Sequence, residues 1–148
     1  MNLPNDFEYE KYKLGFEWSA PFRYQRIKEV MESNEKIGIE DSLKLQTDYT
    51  TVPGKRITNL LDNIQSSDEK VNDALNMLKE WDGELSIETS AGALFEVWYQ
   101  RHLRDEVVKE IMSEEAANYI ESGDPVVILD LLENPDERFG ENPKQVHD

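Results

Sequence analysis

Apolar residues recur at three- and four-residue spacing through most of the chain from Pro21 onward, which is the period of amphipathic helices. Pro21 suits a first helical turn, and Phe22, Ile27, Val30 and Met31 form a stripe that Ser33-Asn34 ends. A second helix is predicted over Ile39 to Thr50, with Glu40 and Asp41 in its first turn, where negative charge favours the helix dipole. Thr51-Val52-Pro53-Gly54 reads as a break. A third helix over Lys55 to Gln65 puts Ile57, Leu60, Leu61 and Ile64 on one face. Ser66-Ser67-Asp68 caps a fourth, with Val71, Leu75 and Leu78 at helical spacing, and Trp81-Asp82-Gly83 terminates it. After a connector over Glu84 to Thr89, Ser90 to Met112 is a long helix burying Leu94, Phe95, Trp98, Val107, Val108 and Ile111. Ser113-Glu114-Glu115 starts a short helix ending at Ser122-Gly123, and Pro125 to Leu132 is a last, apolar one.

The two ends differ from this body. Residues 1–20 hold Pro4, Gly15 and the rings of Phe7, Tyr9, Tyr12, Phe16 and Trp18, which reads as an extended arm that must pack on something. The tail, 134–148, has Pro135, Gly140, Pro143 and few apolar anchors, and is expected to be a flexible acidic tail or linker. The predicted architecture is all-α: an irregular bundle of six or seven helices over residues 21–133, with an extended N-terminal arm.

Charge narrows the partners. The 148 residues carry 16 basic and 32 acidic side chains, a net −16. Residues 1–74 hold 10 basic against 14 acidic groups, and residues 75–148 hold 6 against 18, so the excess lies in the second half. Phosphate recognition needs a basic footprint, so nucleic acid is not an expected partner, and neither is an anionic membrane. The chain lacks cysteine, which removes disulfides, thiolate metal sites and a Cys nucleophile. No apolar run approaches the ~20 residues of a membrane helix. Asn5, Asp6, Glu8 and Glu10 interrupt any signal-peptide core at the N-terminus, so the compartment stays unassigned.

The stretch Gly15-Phe16-Glu17-Trp18-Ser19-Ala20-Pro21-Phe22-Arg23-Tyr24-Gln25-Arg26-Ile27-Lys28-Glu29 resembles part of the penicillin amidase family of N-terminal-nucleophile acylases. Further elements follow in order: Asn2-Leu3-Pro4, Gln46-Thr47-Asp48, Trp81-Asp82-Gly83 and Ala93-Leu94-Phe95-Glu96-Val97-Trp98-Tyr99. The resemblance covers roughly residues 2–112 and implies an interior piece of the β-subunit region of a larger enzyme. It implies amide hydrolysis by an N-terminal Ser whose own α-amine, with a pKa near ~8, is the general base. Backbone N–H groups and an Asn would hold the oxyanion.

This sequence departs from that pattern at its start. Met1 and Asn2 cannot be an N-terminal Ser, Thr or Cys, and the family's oxyanion Asn would fall upstream of Met1. Arg23 matches the family's Arg beside the active centre, implying a supporting role in holding the nucleophile and oxyanion groups. Guanidinium suits that task because it stays charged and donates in fixed directions. The competing reading is a helix-start Arg paired with an acid such as Glu17. Arg26, one turn along, reads as structural. His102 reads as a packing or surface histidine, and His147 lies in the tail. Two distant histidines do not make a Ser-His-Asp triad or a zinc site. Neither Gly-x-Ser-x-Gly nor a phosphate-cradling Gly-rich loop is present. Asp6, Glu8 and Glu10 lie near the stretch where the family has calcium, but read better as solvated charges. No cofactor is expected in these residues, with calcium left to the parent enzyme.

The resulting expectation is a piece of an acylase acting on N-acyl amides, such as penicillins or acyl-homoserine lactones, and inactive alone. Its partner would be the remainder of the parent amidase chain. Family members are often exported. The rival expectation is a standalone acidic helical interaction module. Exposed aromatics leave a homodimer open in either case.

Overall fold

The computed structural model describes residues 8–12, 19–33, 36–120 and 122–140. Much of the aromatic arm, with Phe7, Phe16 and Trp18 and the side chain of Tyr9, lies outside the described residues, as do Met1, Asn2, Asp6 and His147.

The helices are α1 (Tyr9–Tyr12), α2 (Phe22–Glu32), α3 (Ile39–Gln46), α4 (Val52–Leu60), α5 (Glu69–Lys79), α6 (Ser90–Trp98), α7 (Arg104–Ile111), α8 (Glu114–Ala117) and α9 (Pro125–Glu133). Among the described residues, seven of them have eight residues or more and there is no strand, so the fold is all-α as expected. Residues 99–103 form a π-helical turn joining α6 to α7, and Glu137–Phe139 is a single 3-10 turn.

Two apolar clusters form the core. The first gathers Ile57, Leu61, Leu78, Trp81, Phe95, Tyr99 and Leu129 around the α4–α5–α6 junction. The second gathers Val107, Val108, Ile128, Leu131, Leu132 and Phe139. Helix α9 feeds both, because its run Val126-Val127-Ile128-Leu129 is apolar on more than one face. Arg56 ties α4 to α9: its Nε donates to Glu133 Oε1 at 2.7 Å and its Nη2 to Asp130 Oδ1 at 2.6 Å. The burial of Phe139 anchors the start of the acidic tail on the second cluster.

The long helix over Ser90 to Met112 is present but not uniform. Phe95, Tyr99, Leu103, Val107 and Ile111 stand four residues apart, all within or against the core. At 3.6 residues per turn, each four-residue step overshoots a full turn by about 40°. The wider π turn at 99–103 takes out part of that drift and keeps the stripe facing inward. Such a turn leaves the apolar spacing unchanged, so the pattern alone does not reveal it.

Four expected boundaries differ. The second helix stops at Gln46 rather than Thr50. Beyond it, the Asp48 carboxylate accepts the Thr50 N–H at 2.9 Å, a side-chain bond that competes with helix continuation. The Thr51–Gly54 break is instead the start of α4: the Thr51 side chain caps Gly54 N, and Pro53 falls in the first turn, where no N–H is missed. The third helix consequently runs over Val52–Leu60, not Lys55 to Gln65. The helix opened by Ser113 ends at Ala117, short of Ser122-Gly123.

Candidate functional site

Arg23 lies in the first turn of α2, next to Pro21, and faces the C-terminal end of α3. The last carbonyls of a helix have no partner inside it and carry partial negative charge. Arg23 supplies donors to that end: its Nη2 donates to Leu45 O at 2.8 Å, and its Nη1 reaches Asp48 O at 3.5 Å. The side chain is exposed, and its Nε–H makes no hydrogen bond among the described residues. The expected alternative partner, Glu17, lies outside the described residues.

Arg26 is one turn further along, on the same face of α2. It forks onto the Asp48 carboxylate, with Nε at 3.2 Å from Oδ1 and Nη2 at 2.7 Å from Oδ2. Its Nη1 sits 3.0 Å from Glu29 Oε1, and that oxygen is 3.8 Å from Lys55 Nζ. The Arg26 and Asp48 side chains are only 17% and 15% exposed, so water screens this pair weakly. The Arg26 hydrogen bonds hold the Asp48 carboxyl down at about 2, against desolvation that pushes the other way. Bonding to Asp48 likewise raises the Arg26 pKa.

The 48–51 segment is fixed from its other side by the Trp81-Asp82-Gly83 turn. Thr51 N donates to Gly83 O at 2.8 Å and Leu85 N donates to Tyr49 O at 3.0 Å, the flanks of the Thr50–Glu84 bridge. Trp81 is buried against Phe95, with ring centroids 5.2 Å apart, and its indole Nε1 donates to Glu84 O at 3.0 Å. The site requires two glycines. A Cβ on Gly54 would lie 2.9 Å from the Trp81 ring, and Gly83 has φ of +83° with the Lys55 stem against it.

Elements scattered over some sixty residues of sequence therefore meet in one bracket. The Pro21-to-Arg26 stretch, the Gln46-Thr47-Asp48 element and the Trp81-Asp82-Gly83 turn touch in series, and the helix bearing Phe95 forms the floor. Spacing alone does not predict the Arg26–Asp48 pair, because it joins residues 22 apart across a loop. The sequence signal was limited to two arginines one turn apart, because the predicted second helix ran through Asp48 to Thr50.

The remaining candidates lie elsewhere. His102 is exposed on the π turn, at the rim of an apolar groove of about 640 Å³ between α5 and α6, floored by Leu75, Leu78 and Trp98. Glu8 pairs with Lys11 at 2.7 Å, and Asp6 and the side chain of Glu10 lie outside the described residues. Among the described residues no three carboxylate or imidazole groups gather as a metal site, and no helix is long and apolar enough to cross a membrane. A sequence profile of the family described as "Penicillin amidase" matches residues 2–148. No curated protein matches the chain.

Proposed function

The chain belongs to the penicillin amidase family, and on that premise we propose that its helices form a supporting wall of an N-terminal-nucleophile acylase. The parent enzyme hydrolyses an N-acyl amide to a carboxylic acid and an amine. An N-terminal Ser Oγ attacks the amide carbon while the α-amine takes its proton. That proton passes to the leaving amine, and water then cleaves the acyl-Ser ester. Arg23 braces the nucleophile and oxyanion groups. The single observation that carries this role is its geometry: an exposed guanidinium, held by backbone carbonyls, whose Nε–H is unpaired among the described residues.

The 148 residues are proposed to be inactive alone, because the role proposed for Arg23 is to support a nucleophile and not to be one. The neighbour is the remainder of the parent amidase chain. Ile39 and Leu43, one turn apart on α3, are both exposed, as is Tyr49, and they support docking on this side. The same exposed residues would serve a standalone interaction module, or a homodimer, which is the second reading.

Native protein captured with an antibody to residues 90–112 separates the two. A larger species with a free N-terminal Ser, releasing amine from an acyl anilide, is expected. In that species Arg23→Ala should lower kcat by roughly 10²-fold, the scale of losing one oxyanion-stabilising group. A native species of these residues alone would overturn the acylase reading in favour of the module.

A further inference from the structure

We propose that the Arg26–Asp48 ion pair is a positioning device for Arg23, so that Asp48 is a positioning residue of the candidate site. This rests on the reading of Arg23 as part of an acylase centre.

The inference follows from which atoms of Asp48 are used. Its carboxylate takes the Arg26 fork, at 2.7 Å from Nη2, and accepts the Thr50 N–H at 2.9 Å. Its carbonyl oxygen faces Arg23 Nη1 at 3.5 Å. One residue is thus clamped through its side chain and read by Arg23 through its backbone. The next residue, Tyr49, is held by the Leu85 N–H at 3.0 Å, which removes the remaining freedom of the turn. If the carboxylate were released, Asp48 could rotate, and its carbonyl would leave Arg23. The other and shorter Arg23 contact, to Leu45 O at 2.8 Å, lies in the last turn of α3, three residues before Asp48, and that helix buries no residue of its own.

A simple staple between α2 and α3 would not need this arrangement. It would hold the helices together and leave Arg23 to move as an exposed arginine does. Arg23 and Arg26 are three residues apart, so both guanidinium groups approach the 45–48 segment from the same face. The fork also demands an arginine. A lysine keeps the charge but cannot make two parallel bonds to one carboxylate.

The test uses the 148-residue chain with 15N-labelled arginine, reading rotation about each Nε–Cζ bond by NMR. Two internal standards are present. Arg56 is forked onto Glu133, and Arg101 is exposed without a hydrogen bond or ion pair among the described residues. In the wild-type chain Arg23 should rotate more slowly than Arg101. In Asp48→Asn and in Arg26→Lys it should accelerate by about tenfold or more, towards Arg101, while Arg56 stays slow. An Arg23 as free as Arg101 in the wild type would overturn the proposal without any substitution. So would an Arg23 unchanged in Arg26→Lys with Arg56 still slow. Loss of the slow Arg56 signal in Asp48→Asn would mark unfolding, and Arg26→Lys then decides. The readout is independent of catalysis. If Arg23→Ala left hydrolysis by the parent intact, the reading of Arg23 as part of the acylase centre would fall, while the Arg23 rotation rates would still decide the positioning.

Discussion

Helices α2 and α3 bury no residue, whereas α9 alone buries four: Ile128, Leu129, Leu131 and Leu132. Guanidinium groups on carbonyls and a carboxylate join the first pair to each other, and it meets the body through two backbone hydrogen bonds from the 83–85 segment, the Glu29–Lys55 pair and Phe22 against the first cluster. The second region is held chiefly by apolar packing, with the Arg56 pairs to Asp130 and Glu133 added at its rim. The forces differ in kind. Burial is strong but non-directional, and fixes only that a helix is present. Charged hydrogen bonds fix where a given atom points, and are exposed to pH. The candidate site stands on the directional side and borrows its rigidity from Trp81 and Phe95 across the 48–51 segment.

The largest expected effect breaks the body. Phe95→Ala removes a ring that is 1% exposed and stacks between Trp81 and Tyr99. It should cost about 3–5 kcal/mol in urea unfolding, a large share of the roughly 5–15 kcal/mol that stabilises a domain. A loss under about 1 kcal/mol would mean that the first cluster is not the main core.

Next comes the bracket. Asp48→Asn should cost about 2 kcal/mol at pH 7, read from the same urea midpoint. The folded carboxyl, at about 2, lies below its ordinary 3.8. The unfolded state therefore binds the proton more tightly. The contribution is full above the unfolded value and is lost as pH falls through the folded one. The wild-type chain should lose this increment between about pH 5 and pH 2, and the Asn variant should show a flatter profile there. Equal slopes would remove the pair from the stability of the bracket.

Asp136 sharpens the point. Its carboxyl is also held at about 2, by hydrogen bonds from Arg138, but it is 43% exposed and the pair lies on one turn of surface chain. Asp136→Asn should leave the urea midpoint unchanged, because water and salt screen an exposed pair. A midpoint that fell as far as for Asp48→Asn would show that enclosure is not what separates the two.

Another small effect lies in the core and has the opposite sign. Tyr99 is buried, and its hydroxyl has no hydrogen-bond partner among the described residues. Tyr99→Phe should be neutral or stabilise by up to about 1 kcal/mol, since it removes an unsatisfied polar atom and keeps the ring on Phe95. A clear loss of stability would reveal a partner for that oxygen.

The apolar period was sufficient for the class of fold and for the Phe95 and Val107-Val108 faces, because burial of a helical stripe depends mainly on local spacing. Asp68 and Ser113 cap their helices where the sequence places them, because a cap is a bond across two or three residues. Family membership was legible in the ordered elements from Asn2-Leu3-Pro4 to Trp98-Tyr99. The sequence also singled out Arg23, but not what holds it. Tertiary structure decided that Asp48 ends α3, that Thr51 begins α4, and that Arg26 and Asp48 meet. The Asp48–Thr50 and Thr51–Gly54 bonds are local, but the segment they shape is held by groups tens of residues away, at Gly83 and Leu85 and on α2. Local propensity weighs a residue against its near neighbours, and a hydrogen bond that closes a long loop is outside its reach.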